Sequence, residues 1–93
     1  MHSKQLNSDL PMFEFGKAGT WANPGETRTV KVSFNKKFPS TPYIFAQNID
    51  TASPRINISV GNKLQSECTF YVRNQTGDGE VFNFFWMAIL YPI

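Results

Sequence analysis

The chain is poor in residues that do chemistry. It has one cysteine, Cys68, and one histidine, His2, in 93 residues. A single cysteine excludes an intrachain disulfide framework. A domain this small buries only about 60–65% of its unfolded surface, so support must come from elsewhere. The pattern around Cys68 points it inward as a buried free thiol. That suits a reducing compartment, or a bacterial or phage product. His2 sits in a polar leader and Cys68 lacks a histidine partner, so no Cys–His nucleophile is expected. Metal-ligand spacing is missing, and Asp78-Gly79-Glu80 reads as a plain turn rather than a calcium loop. The seven acids are scattered over strand edges and turns, which gives no carboxylate pair for glycoside hydrolysis. The expectation is a protein that is not an enzyme and uses no cofactor or metal.

Charge is also sparse. A net charge of +2 is too small to imply nucleic acid or an acidic membrane as partner. Lys36-Lys37, the only basic doublet, reads as a solvated loop. No apolar N-terminal stretch resembles a signal peptide, and no run approaches a spanning helix. The sequence thus predicts a soluble protein without membrane insertion. It would be extracellular or particle-associated, as in a virion or fibre, without a classical signal peptide. The short sequons Asn57-Ile58-Ser59 and Asn74-Gln75-Thr76 carry little weight.

What remains is a series of strands punctuated by turns. Residues 1–11 are polar and end in proline, which predicts a flexible leader or linker; residues 12–93 form one domain. Met12 to Phe15 reads as a first strand ended by Gly16, followed by a loop, Gly19 to Gly25, that holds Trp21. Thr27 to Phe34 alternates, with Val30, Val32 and Phe34 inward. After the prolines at 39 and 42, Tyr43 to Asp50 is a third strand. A turn at Ala52-Ser53-Pro54 leads to Arg55 to Val60, whose inward set is Ile56, Ile58 and Val60. Glu67 to Gln75 follows, with Cys68, Phe70 and Val72 inward. Thr76-Gly77-Asp78-Gly79 is a strong tight-turn signal before the last strand. No window has a helical period. The fold class is all-β, a six-stranded antiparallel β-sandwich.

The last strand, from Glu80 on, is apolar on both sides. Period two places Phe82, Phe84, Trp86, Ala88 and Leu90 on one face, and Val81, Phe85, Met87, Ile89 and Tyr91 on the other. A second sheet covers one face. The other needs a partner, and another copy of the same chain supplies it most simply.

Binding chemistry is better represented than catalysis. Guanidinium groups fork onto vicinal hydroxyls, and aromatic rings stack on the apolar faces of sugars. Arg55 starts a strand whose outer face, with Asn57 and Ser59, is wholly polar. Arg73, Asn74 and Gln75 end another strand beside the glycine-rich turn. Each also fits a solvated outer face. Trp86 reads as core, whereas Trp21 in its loop fits either core or a ligand platform.

The order of landmarks resembles the H-type lectin domain, the module of snail agglutinins and discoidin C-terminal domains, also found in microbial and phage proteins. The resemblance runs from about Phe13 to Ile93. It rests on Gly19-Thr20-Trp21, Pro24-Gly25-Glu26-Thr27, Val32-Ser33-Phe34, Phe38 through Ile44, Arg55 through Val60, Thr69-Phe70-Tyr71-Val72, and Phe85 through Ile89. It implies a trimer-forming sandwich that binds galactose-type sugars, especially N-acetylgalactosamine, between protomers. By the resemblance, Gly25, Glu26 and Thr27 come from one protomer. Arg55 and hairpin residues near Asn74, Gln75 and Phe82 come from its neighbour. A Trp-His pair of the snail lectins is replaced here near Asn74 and Gln75, so N-acetylgalactosamine specificity does not carry over.

The sequence therefore predicts a carbohydrate-binding module for multivalent cell-surface attachment, such as a phage receptor-binding domain, working as a trimer or dimer of trimers. Arg55 would donate to a terminal sugar, Glu26 would accept, and Phe82 would shape the site. Single-site affinity would be about 0.1–1 mM, raised roughly 10²–10⁴-fold by avidity. The rival is a structural trimerisation head of a fibre or particle with no sugar ligand.

Overall fold

Alternating apolar residues do make this chain a two-layer sandwich. The computed structural model describes residues 12–49 and 55–91. The leader 1–11 and the turn 52–54 expected from the sequence lie outside the described residues, as does Asp50. Six strands follow one another: β1 (Met12–Ala22), β2 (Thr27–Ser33), β3 (Tyr43–Asn48), β4 (Ile56–Gly61), β5 (Glu67–Asn74) and β6 (Glu80–Leu90). They form two antiparallel three-stranded sheets, β1-β6-β3 and β2-β5-β4. The later strands fall within two residues of their expected bounds.

The first strand differs. The chain does not turn at Gly16; β1 runs on to Ala22, paired with β6 from Met12↔Leu90 to Ala22↔Glu80. Glycine is used here for close approach. Gly16 lies opposite Trp86, and a Cβ there would sit 3.1 Å from the indole. A Cβ at Gly19 would come within 2.8 Å of the Phe82 carbonyl oxygen and closer still to the Asn83 side chain. Trp21 therefore belongs to the end of a strand, not to a loop.

The core lies between the sheets. Phe82, Phe84, Trp86 and Ala88 of β6 meet Cys68, Phe70 and Val72 of β5, and most of these are completely buried. Phe70 and Phe84 make the central contact, edge to face with ring centroids 4.9 Å apart. Each fully buried phenylalanine contributes about 1.5–3 kcal/mol. Phe34 and Phe38 close one end; Phe34 contacts Trp86 at 5.7 Å and Phe38 at 5.4 Å. At the same end, both Glu14 carboxylate oxygens accept from the Asn35 backbone N–H. Cys68 is buried as expected, and desolvation, then the nearby Glu67 charge, pushes its thiol up to about 11.

The two outer faces are chemically opposite. Sheet β2-β5-β4 shows Thr27, Thr29 and Lys31, then Arg73 and Tyr71, then Asn57 and Ser59. Sheet β1-β6-β3 shows rows set by strand register: Phe13–Ile89–Tyr43, Phe15–Met87–Phe45, Lys17–Phe85–Gln47. Phe13, Phe15, Tyr43 and Phe45 are each at least half exposed. Phe15 stacks on Phe13 and touches Phe85.

Gly19→Ala should destabilise the domain by about 1–3 kcal/mol, because the new methyl must displace backbone. Denaturant unfolding at equal slope would show it; an unchanged midpoint would mean β1 and β6 approach less closely than described.

Candidate functional site

Polar turn residues gather where β1 ends and β6 begins, and one buried side chain organises them. Asn74, the last residue of β5, is fully buried. Its amide nitrogen donates to the carbonyls of Ala22 (3.0 Å) and Asp78 (2.8 Å). Its amide oxygen accepts from the Thr76 N–H (2.9 Å) and hydroxyl (2.6 Å). Its backbone joins the Pro-Gly loop: its N–H donates to the Glu26 carbonyl at 2.9 Å, and its carbonyl accepts from Gly25 at 2.7 Å. Burying an amide without such partners would cost several kcal/mol, so the full set explains why it is tolerated here.

The Pro-Gly loop is held just as firmly. Gly25 has φ 78°, a left-handed conformation that glycine adopts without steric cost. The Glu26 N–H donates to the Asn23 carbonyl at 2.9 Å. The Glu26 carboxylate accepts from the Asn23 N–H at 2.8 Å and pairs with the Arg28 guanidinium at 2.8 Å. These contacts, the Asn23 N–H first, hold its carboxyl below the usual carboxylate range. The loop clasp is therefore complete at neutral pH and is lost only as pH falls through that depressed value.

The sequence-predicted residues divide. Gly25, Glu26, Thr27, Arg55 and Gln75 come to one end of a single protomer. Gln75 donates from its backbone N–H to the Arg55 carbonyl at 2.9 Å, and its side-chain oxygen accepts from the Asn57 amide at 3.0 Å. Thr27 and Asn57 flank Arg73 across the sheet. Arg55, Thr27 and Gln75 are exposed. Two residues are placed otherwise. Asn74 is structural, since its side chain is enclosed and saturated by protein partners. Phe82 cannot shape a ligand site, because it is 1% exposed and points into the core. Alternation along β6 puts it on the inward face with Phe84 and Trp86.

Trp21 was not among the expected contacts, yet it stands at this end. It is 47% exposed, its indole N–H donates to the Asn23 side-chain oxygen at 3.0 Å, and its ring covers Gly79. The signal was present in the sequence as a tryptophan bordered by turn residues. Ending the first strand at Gly16 hid which face of the sheet it occupies.

Among the described residues, no group of three or more potential metal ligands occurs. Nor does any helix there have the length and apolar character to cross a membrane.

No protein-family model matches the chain, and no curated protein does. Solved structures with the same fold include a pyocin fibre and phage tailspikes. The R1 pyocin fibre of P. aeruginosa superposes with a TM-score of 0.71 at 15% identity, over 87% of this chain and 23% of that one. The tailspike protein gp49 of Pseudomonas phage LKA1 gives 0.75 at 16% identity, over 89% and 15%. The gp54 tailspike of Acinetobacter baumannii bacteriophage AP22, solved in complex with A. baumannii capsular saccharide, gives 0.66 at 11% identity, over 89% and 17%. The chain spans less than a quarter of each of these three proteins. At such identities the likeness is one of fold. The specific H-type lectin assignment is not supported by these comparisons; the shared β-rich architecture of fibres and tailspikes is.

Asn74→Ala should strand the Ala22 and Asp78 carbonyls and free the β5–β6 turn, while the backbone bonds of residue 74 to the Pro-Gly loop remain. A loss of about 2–4 kcal/mol is expected. In hydrogen exchange, the Thr76 amide should lose protection, while Gly25, bonded to the backbone carbonyl of residue 74, and the β5 and β6 interior keep theirs. Uniform loss across the domain would instead mean that Asn74 supports the core.

Proposed function

We propose that this domain is a carbohydrate-binding attachment module of a phage or phage-like fibre, working as a homotrimer and without catalysis of its own. The observation that carries this reading is the convergence of the Pro-Gly loop, Arg55 and Gln75 on one rigid polar end. Exposed donors and acceptors held on a fixed frame recognise hydroxyls at low entropic cost. The fold is shared with fibres and tailspikes, one of them solved with a capsular saccharide. A terminal sugar of a bacterial surface glycan is the matching ligand class. Arg55 donates to its oxygens, and Thr27 and Gln75 supply further polar contacts.

The apolar outer face of β1-β6-β3 supports self-association; the count of three comes from the lectin resemblance. Phe13, Phe15, Tyr43, Phe45 and Phe85 form a run of exposed aromatic side chains with Met87 and Ile89 half-buried between them, and contiguous apolar surface of this kind marks an interaction site. In a cyclic assembly around that face every protomer points the same way. Phe15 and Trp21 are separated by six residues of strand, about 20 Å at the usual rise. The polar ends would thus stand clear of the interface, side by side. Three of the acids have structural partners: Glu14 accepts from the Asn35 N–H, Glu26 holds Asn23 and Arg28, and Glu67 pairs with Lys31.

The structural reading remains specific enough to test, since the same apolar face would also serve a trimerisation head that binds no sugar. Arg55→Ala separates the two. On an array of bacterial capsular and O-antigen glycans with galactose- and N-acetylgalactosamine-terminated controls, the wild-type trimer should bind one coherent class. The variant should lose that binding while keeping its mass and its stability within about 0.5 kcal/mol. Silence from a folded wild-type trimer would favour the head.

The interface makes its own prediction. Phe15→Lys combined with Phe45→Lys places three pairs of charges in the apolar face and should give a folded monomer by light scattering. A wild-type protein that is itself monomeric at micromolar concentration would refute the assembly.

A further inference from the structure

The outer face of β1-β6-β3 is not uniformly apolar along its length. Its aromatic rows end at Lys17–Phe85–Gln47; the next row pairs Gly19 with Asn83 and is closed on the β3 side by Ile49, which is 46% exposed and donates its N–H to the Asn83 carbonyl. Beyond the Gly19–Asn83 pair, β1 and β6 present Trp21 and its cross-strand partner Val81, which are 47% and 51% exposed. This second patch lies on the polar end of the molecule. On β1 and β6 it is separated from the aromatic rows by the Gly19–Asn83 pair.

Trp21 is fixed in place from three sides. Its indole nitrogen is occupied by the Asn23 side chain at 3.0 Å. Its six-membered ring lies so close over Gly79 that a Cβ there would sit 2.9 Å from it. Its carbonyl accepts from the Thr20 hydroxyl at 3.0 Å. Asn23 is in turn bound through its N–H to Glu26, and Gly79 follows Asp78, whose carbonyl Asn74 holds. The ring is thus tied to the same frame that positions the Pro-Gly loop. A half-exposed tryptophan with its only donor already satisfied presents one thing outward, a flat apolar π-face. A ring held rigid before binding loses little entropy on stacking.

We infer that Trp21 is the stacking platform of this end, and that its occupant is a pyranose ring laid by its C–H face against the indole. Val81 borders the platform, and the polar loop beside it reaches the ring hydroxyls. This inference rests on the carbohydrate-binding reading above and adds the contact that sets ring orientation. A second copy of the chain fits this patch less well. Along β1 the apolar surface is interrupted at Lys17 and Gly19 before it reaches Trp21. A polymer of sugars supplies the opposite pattern, an apolar ring face edged by hydroxyls.

The test uses the intact oligomer in two parts. On the same glycan array, Trp21→Ala should weaken binding about five- to tenfold, and Trp21→Phe should keep part of it, as expected for loss of one aromatic contact. Light-scattering mass should be unchanged in both. Acrylamide quenching of the wild-type protein gives a readout that folding defects do not touch. Trp86 is 6% exposed, so Trp21 dominates the accessible emission. Adding the array-selected glycan should shield that emission, while a non-binding glycan leaves it open. If Trp21→Ala binds like wild type while Arg55→Ala does not, the platform is refuted and the carbohydrate reading survives. Should Trp21→Ala dissociate the oligomer, the patch belongs to the interface between copies and the platform is refuted. Quenching unaffected by a bound glycan would refute it as well. Absence of wild-type binding to every glycan would overturn both readings together.

Discussion

The inward face of β6 is the constraint from which the rest of this domain follows. Phe82, Phe84, Trp86 and Ala88 lie along a central strand with β1 on one side and β3 on the other. All four are almost wholly removed from water. Such bulk has to be matched. Opposite it, β5 supplies Phe70 and Val72, and Phe34 and Phe38 close the end beside Trp86. Within the sheet the match is made by absence: β1 carries glycine at 16 because the indole of Trp86 occupies the space of a side chain. The strand therefore stays paired for its full length, and that length carries Trp21 to the far end of the molecule.

A second interaction makes that end rigid. The buried Asn74 amide ties the end of β1, the β5–β6 turn and, through its backbone, the Pro-Gly loop. No regular ladder does this. Apart from Ala22 at the end of β1, the groups so tied lie in turns, and turns held by a buried side chain are both polar and rigid. Those are the properties a shallow recognition surface needs. The outward faces then divide the labour. One sheet offers aromatic rows suited to another copy, the other offers polar residues suited to water, and the polar end is shared by both edges.

Much of this was legible in the sequence, for a physical reason. Period-two patterns report burial directly, so the inward sets Val30–Val32–Phe34, Ile56–Ile58–Val60 and Cys68–Phe70–Val72 were readable. So was the double apolar character of β6. Glycine misled, because it serves both as a strand breaker and as a vacancy for a neighbour, and only the partner strand distinguishes the two uses. Gly16 and Gly19 were vacancies. The misplacement of Phe82 had another origin. Alternation had already set it inward with Phe84, while the resemblance to a lectin motif drew it into a site; burial decided for alternation. The role of Asn74 was hidden altogether, since its amide reaches Ala22 across 52 residues. Side-chain bonds of that range leave no period in the sequence.

The account stands or falls on whether ligand meets the polar end. Backbone-amide and indole NMR of the labelled oligomer, titrated with a capsular or O-antigen oligosaccharide chosen by array binding, addresses this directly. The predicted result is a set of shifts confined to Trp21 through Thr27, Arg55, and Gln75 through Val81, including the Trp21 indole N–H. Shifts centred on the outer face around Tyr71 and Ser59, or on the aromatic rows around Phe15 and Phe45, would contradict it.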